Sequence, residues 1–270
     1  MCEEAYAYLH AHSAIDTVVH AVARLEDDPL FNAGTGSVLQ RDGRVRMSAA
    51  VMDGARGRFA GVLNIERVRH PVEVACALLE ESDRVLAGAE ATHFARAAGY
   101  RAWNPVTPAR LRAWRAQPRG RSPQGTVGAV ALDRAGRLAA ATSTGGKPFA
   151  RAGRVSDSGL PVGNFADERV AVSCTGLGED IIEEALAVRL AQQVADGRTL
   201  PQAFARTFRA LRARHRWAGA IGLDREGRVA FATTLKALLA VGMNGRCCVL
   251  QQEAGEKIAP SRSFVRATIS

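Results

Sequence analysis

Gly125 and Thr126 open a strand-like run, GTVGAVALD, immediately after a stretch that lacks any periodic pattern. A threonine in that setting has an unusual chemical option. The six histidines, at 10, 12, 20, 70, 93 and 215, assemble no triad with a GxSxG serine. No GxxxxGK, GxGxxG or HExxH pattern offers a phosphate cradle or a zinc site. A hydrolase built from this chain therefore needs another base. One is the α-amino group of a chain terminus, whose pKa of about 7.7–8.0 lies close to working pH. A threonine freed by a cut just before it carries nucleophile and base on one residue. Thr126 suits this use, because an accessible segment leads into Gly125, which tolerates strained backbone, and the strand beyond is apolar. The competing reading is a plain β-branched strand residue, and residue type alone leaves both open. GTGS (Gly34 to Ser37) and TGLG (Thr175 to Gly178), taken singly, read as tight turns.

Several elements must position such a residue. Apolar spacing predicts a helix over His12 to Leu25, another from Pro71 to Leu86, and one after CTGLGED with Ile182, Leu186, Leu190 and Val194 on one stripe and Gly197 ending it. A last helix starts at a capping box, Thr199 with Gln202, and buries Phe204, Phe208 and Leu211. Its opposite face, Arg206, Arg209, Arg212 and Arg216, reads as solvated. Three hairpins are expected: VLQRDGRVRMSAAV turning at Arg41 to Arg44, LDRAGRL from Leu132 to Leu138, and LDREGRV from Leu223 to Val229. Residues 107–124, TPARLRAWRAQPRGRSPQ, hold three prolines, five arginines and no acid, and are expected to be a mobile linker.

Taken together, five segments resemble one family. LEDDPLFNAGTGSV (Leu25 to Val38), VMDG (Val51 to Gly54), GTVGAVALDRAGRLAAATSTGG (Gly125 to Gly146), GRVSDS (Gly153 to Ser158) and AVSCTGLGE (Ala171 to Glu179) are similar, in order and spacing, to the isoaspartyl peptidases and plant-type asparaginases. The resemblance spans about Ala14 to Ala232. It implies an α+β fold, the four-layer αββα sandwich of N-terminal nucleophile hydrolases, as one domain over 1–270. It also implies self-cleavage between Gly125 and Thr126 into an α chain, 1–125, and a β chain, 126–270, pairing into a dimer of heterodimers. Thr126 is then the nucleophile, and Thr144 orients its amine. Thr175 and Gly176 are the oxyanion donors, each contributing about 3 kcal/mol to the barrier reduction. Arg154 takes the substrate α-carboxylate and Asp157 its α-ammonium, as a guanidinium and a carboxylate should. Gly178 contacts substrate and Asn32 lies near the site. The loop Leu25 to Thr35 matches one that binds a structural sodium ion through carbonyls; no catalytic metal or other cofactor is implied. The activity implied is hydrolysis of isoaspartyl dipeptides and L-asparagine. The alternatives are a glycosylasparaginase-like amidase, whose members usually carry Asp where this chain has Gly125, and an unprocessed pseudoenzyme with a binding role.

The chain departs from the family pattern in places. The opening strand and its HGGAG-like turn are absent, which implies a misassigned start or a sheet short of one strand. Gln124 replaces a histidine, Ser156 a glycine, and Arg216 to Gly222 reads RWAGAIG. Residues 245–270 have no counterpart. Composition excludes other classes: 47% hydrophobic and 23% charged residues fit a globular chain, and no apolar run approaches the length that spans a bilayer. The odd set of five cysteines, read as free thiols, and an acidic N-terminal stretch point to the cytoplasm. The net charge of +9 is concentrated: 107–121 and 206–216 each carry +5, leaving the rest at about −1, so no nucleic-acid groove is expected.

Overall fold

The computed structural model describes residues 2–116, 125–243 and 247–253. In chain order these form α1 (Cys2–Leu9), α2 (Ala14–Asp27), β1 (Met47–Asp53), β2 (Arg58–Ile65), α3 (Pro71–Ala77), β3 (Val85–Ala87), α4 (Gly88–Ala97), α5 (Pro108–Ala116), β4 (Val127–Leu132) and β5 (Leu138–Thr144). Then follow β6 (Asn164–Ala166), β7 (Val170–Gly176), α6 (Gly178–Glu184), α7 (Leu186–Ala195), α8 (Leu200–Ala213), β8 (Ala218–Asp224), β9 (Val229–Thr233), β10 (Ala237–Met243) and β11 (Cys247–Glu253). Among the described residues one sheet runs β3-β2-β1-β5-β4, a second β6-β7-β8-β9, and β10 pairs with β11. The protein is α+β, with antiparallel neighbours except for the parallel pair β2 and β3.

Alternation along the strands assigns each face. Val127 and Ala131 of β4 and Ala139 and Ala141 of β5 share an apolar cluster with Val18 and Val22 of α2 and Val72 of α3. The intervening residues Val130, Leu132, Leu138 and Ala140 instead cluster with Ala166 and Ala171 of the second sheet. That sheet repeats the arrangement, since Val170, Val172 and Cys174 pack on Leu186 and Leu190 of α7 and Phe204 and Phe208 of α8. Each such phenylalanine contributes roughly 2–3 kcal/mol when buried. Every residue of β5, LAAATST, is buried, and small side chains are what let a strand be covered on both faces. Odd positions of β4 and β5 therefore face the helices, and even positions face β7.

The hairpins at Leu132–Leu138 and Leu223–Val229 form as the sequence predicts, with Gly136 at φ 75° and Gly227 at 78°. The capping box at Thr199 and Gln202 is present, and Phe204, Phe208 and Leu211 are fully buried. Other expectations need correction. Val38 to Val51 is only a turn: Gln40 accepts from Gly43 and its amide donates to Arg44, but β1 pairs with β2 and β5. The Pro71 helix ends at Ala77, a 3-10 turn follows, and Leu86 lies in β3, because the polar run Glu81-Ser82-Asp83 breaks the apolar period. The helix after CTGLGED is broken at Ala185, φ 46°, so Ile181 is buried and Ile182 exposed. The arginine face near α8 is not wholly solvated, since Arg212 donates to the Thr233 carbonyl while Arg214 and Arg216 pair with Glu184.

The expected linker is corrected as well. Pro108–Ala116 is helix α5, its Trp114 indole donating to Gln40 O at 2.9 Å and Arg110 reaching the carbonyls of Leu30, Phe31 and Gly36. A proline at a first helical turn and long side chains folding back explain what the composition hid. Residues 117–124 lie outside the described part, as do 254–270. Among the described residues no helix is long and apolar enough to cross a membrane. Cys76 and Cys174 are free thiols.

Candidate functional site

β4 begins directly after Thr126, and its register with β5 pairs Val127 with Ser143. One step further out stand Thr126 and Thr144, both even positions facing the second sheet. Their hydroxyls are 3.4 Å apart, Thr126 donating, which is longer than a well-formed hydroxyl hydrogen bond. The Gly146 amide donates to the same Thr144 oxygen at 3.1 Å. Thr144 is thus an acceptor held by the turn that follows it.

Thr175 comes to the same region from β7. Gly128 lies so close to this strand that a Cβ there would fall 2.0 Å from Ser173 Oγ. Only glycine permits that approach. At the other end of β4, Val130 and Leu132 share the cluster of Ala171, so the two strands run antiparallel across the interface. Two residues outward from Gly128 and from Ser173 lie Thr126 and Thr175, which accordingly face one another. The Thr175 hydroxyl has no hydrogen-bond partner among the described residues. Behind it a buried polar group joins the sheets: Thr142 Oγ1 is 2.7 Å from Ser173 Oγ and donates to Asn164 Oδ1 at 2.9 Å.

Asn32 spends every polar group on this corner. Its amide donates to the Gly125 carbonyl at 3.2 Å, its own carbonyl accepts from Gly145, Nδ2 donates to Gly146 O, and Oδ1 accepts from Val38 N. It ties the Leu25–Thr35 loop to the Gly125–Thr126 junction and to the turn after Thr144. In that loop the carbonyls of Leu25, Glu26 and Asp28 accept backbone amides, and those of Leu30, Phe31 and Gly36 accept Arg110. Among the described residues no cluster of three or more His, Cys, Asp or Glu is placed to hold a metal ion.

Arg154 and Asp157 come from the loop before β6. Gly178 sits between them, because a Cβ there would lie 2.7 Å from Arg154 Nη2 and 2.8 Å from Asp157 Oδ1. Arg154 donates to both oxygens of Glu179, at 2.9 and 3.0 Å. Burial pushes the Asp157 carboxyl up to about 6; Ser156 Oγ donates to Oδ1, while Oδ2 has no partner among the described residues. A buried carboxylate oxygen with nothing to accept from is costly and is poised for a cationic donor. The hydrogen bonds from Arg154 hold the Glu179 carboxyl down to about 2. Arg154 Nη1 in turn is the heavy atom nearest a Cβ on Gly146, at 3.9 Å, so the guanidinium adjoins the Thr144 turn.

Every residue expected from the sequence therefore falls in one region: Asn32, Gly125, Thr126 and Thr144 at one end, Arg154, Asp157 and Gly178 at the other, and Thr175 with Gly176 on the strand leading into Gly178. Sequence reasoning missed the Arg154–Glu179 pair, although Glu179 directly follows Gly178 in the segment quoted. It also missed Glu26, which is completely buried. Burial pushes this carboxyl up to about 8; Oε1 accepts from Ser143 Oγ at 2.5 Å and Val72 N at 3.2 Å, and Oε2 has no partner among the described residues.

Known proteins are similar to this chain over most of its length. The family model described as asparaginase matches residues 1–124 and 115–248. The chain is 44% identical over 263 residues to an isoaspartyl peptidase/L-asparaginase of Nostoc sp., covering 90% of this chain and 83% of that one. It is 43% identical to a protein of the same description from Synechocystis sp., covering 86% and 76%. With the isoaspartyl peptidase of Salmonella typhimurium it shares 42% identity, covering 81% and 77%. A family model matched over residues 1–248, together with identity at this level, shows that the chain belongs to the asparaginase family.

Proposed function

We propose that this protein is a self-processing threonine amidohydrolase that cleaves β-aspartyl dipeptides and L-asparagine. The observation that carries the reading is a convergence: a hydroxyl pair, Thr126 and Thr144, stands beside a guanidinium and a buried carboxylate oxygen with nothing to accept from. Relatives described as isoaspartyl peptidases and L-asparaginases support it. The α+β packing supports an αββα four-layer arrangement, with helices outside two facing sheets. We further read the active form as a dimer of heterodimers of 1–125 and 126–270, working in the cytoplasm on small amino-acid substrates.

In the uncut chain the Thr126 nitrogen is an amide and cannot act as a base. Thr126 Oγ attacks the Gly125 carbonyl carbon, and the developing oxyanion meets the Asn32 N–H already directed at that oxygen. The C–N bond breaks, the acyl group passes from N to Oγ, and water hydrolyses the ester. This leaves a Gly125 carboxylate and a free Thr126 amine. That amine then takes the Oγ proton while Thr144 fixes the hydroxyl's direction. Oγ attacks the side-chain amide carbonyl of substrate, with Thr175 and Gly176 donating to the oxyanion. The amine returns its proton to the leaving nitrogen, ammonia or an amino acid departs, and water releases aspartate from the acyl-enzyme. Arg154 and Asp157 hold the head group throughout. No cofactor enters a step. A sodium ion at Leu25–Thr35 would be held by carbonyls of that loop, among which those of Leu30 and Phe31 already accept from Arg110.

Denaturing electrophoresis of the purified protein should show two fragments, the second beginning TVGAV on N-terminal sequencing. Thr126→Ala should abolish both cleavage and turnover of β-aspartyl-leucine and asparagine. One intact band after long incubation would count for the pseudoenzyme, and preference for a glycosylated asparagine for the glycosylasparaginase reading.

A further inference from the structure

Arg154 and Asp157 carry opposite charges three residues apart and flank the same glycine. Left to themselves they would neutralise each other, and neither would then be available to an amino-acid head group. The observed pairing avoids this. Arg154 lies side-on against Glu179, Nε donating to Oε1 and Nη2 to Oε2, while Asp157 Oδ2 stays without a partner among the described residues. A guanidinium has two edges that can grip a carboxylate, one formed by Nε with Nη2 and one by the two Nη atoms. Glu179 occupies the first. Nη1, on the second, has no hydrogen-bond partner among the described residues and lies towards Gly146, in the turn that also holds Thr144.

We propose that Glu179 is a positioning residue that sets substrate specificity: it turns Arg154 end-on towards Thr126 and Thr144, keeps Arg154 off Asp157, and so selects substrates with a free α-carboxylate beside an α-ammonium. The proposal rests on the reading of Arg154 and Asp157 as head-group ligands. Glu179 stays ionised over the whole working range, because its pairing with Arg154 holds it down to about 2. Half of its side-chain surface is open to solvent, so its removal leaves no buried unpaired group.

The test compares wild type with Glu179→Gln and Glu179→Asp, using L-asparagine and its α-amide, which lacks the carboxylate. Glu179→Gln should still cleave itself on a denaturing gel. Its KM for asparagine should rise about tenfold with kcat within about threefold, and the preference for asparagine over the α-amide should shrink by a similar factor. As Arg154 relaxes onto Asp157, the acid limb of kcat/KM should move about one pH unit lower; the charged or titratable neighbours of Asp157 are Arg154, Glu179 and Cys174. Glu179→Asp should recover part of the KM and of the preference. An unchanged or lower KM for asparagine would overturn the proposal, a lower one marking Glu179 as an occupant that substrate displaces. So would an equal loss on the α-amide, or failure of both variants to self-cleave, since each would mean a merely structural carboxylate. If Arg154→Ala leaves the KM for asparagine untouched, the head-group reading itself fails, whatever Glu179 does.

Discussion

Two carboxyl groups in this molecule are almost equally buried and answer to opposite demands. Glu26 and Asp157 each have one oxygen held by a serine hydroxyl and one without a partner among the described residues. Burial pushes Glu26 up to about 8 and Asp157 only to about 6. The neighbours make the difference. Asp157 has the Arg154 guanidinium close by, whereas Glu26 lies among Ser143, Val72 N and the apolar α2–α3 layer, with His70 acting on it only as a nearby charge. At neutral pH Glu26 is a protonated acid, able to donate as well as accept, and Asp157 is mostly ionised. One carboxyl ties the end of α2 to β5 and α3, and the other is, on the proposed reading, the seat of the substrate ammonium.

The sharpest way to break this contrast is to remove each charge in turn. Asp157→Asn should lower kcat/KM for asparagine by at least about 100-fold while self-cleavage proceeds; a loss under about fivefold would remove Asp157 from the head-group site. Glu26→Ala strands the Ser143 hydroxyl and the Val72 amide and opens a cavity, so it should destabilise the fold by about 2–4 kcal/mol in denaturant titration. Titration gives a medium-sized effect. Asp157 must be ionised to hold an ammonium, so below the limb set by the Thr126 amine kcat/KM should steepen by one further unit of slope as pH drops through about 6, and this added limb should vanish in Asp157→Asn.

A pH-dependent effect is expected for Glu26→Gln. A carboxyl whose folded pKa is raised contributes stability that is whole below its unfolded value, near 4.5, and lost as pH rises through about 8. Glu26→Gln should therefore lie close to wild type near pH 5 and be more stable at pH 9, by up to about 4 kcal/mol for the roughly three pH units between pH 5 and the folded pKa. His70 is coupled to Glu26: burial opposes its charge, Glu73 and Asp27 outweigh that and raise it to about 9, and the Glu26 charge adds to the rise, so Glu26→Gln should also lower the His70 pKa. A variant no more stable at pH 9 than at pH 5 would mean that Glu26 is ionised in the fold.

Local pattern was enough where the chemistry is local. The capping box at Thr199 and the Leu132–Leu138 hairpin could be read directly, because each depends on residues within a turn of one another, whereas Arg154 and Asp157 stood out only through the family resemblance. The α5 helix could not, since its hold on Gln40 and on the Leu30–Gly36 carbonyls crosses some 75 residues and its composition resembles a linker. Nor could the break at Ala185, which follows the buried Glu184 whose partners Arg189 and Arg214 come from beyond the break.

The sequence by itself determined the strand that opens after Thr126, the glycine that precedes it and the opposite charges of Arg154 and Asp157, because residue type and short spacing specify a hydroxyl, a turn or a charge. Only the tertiary structure decided which charges remain available. Two sheets packed through small residues bring Thr126, Thr144 and Thr175 onto facing surfaces, Asn32 reaches across from α2's loop to Gly125, and Glu179 takes Arg154 away from Asp157. Partner choice among charges depends on distance and dielectric in three dimensions, and the order of residues along a chain does not fix either one.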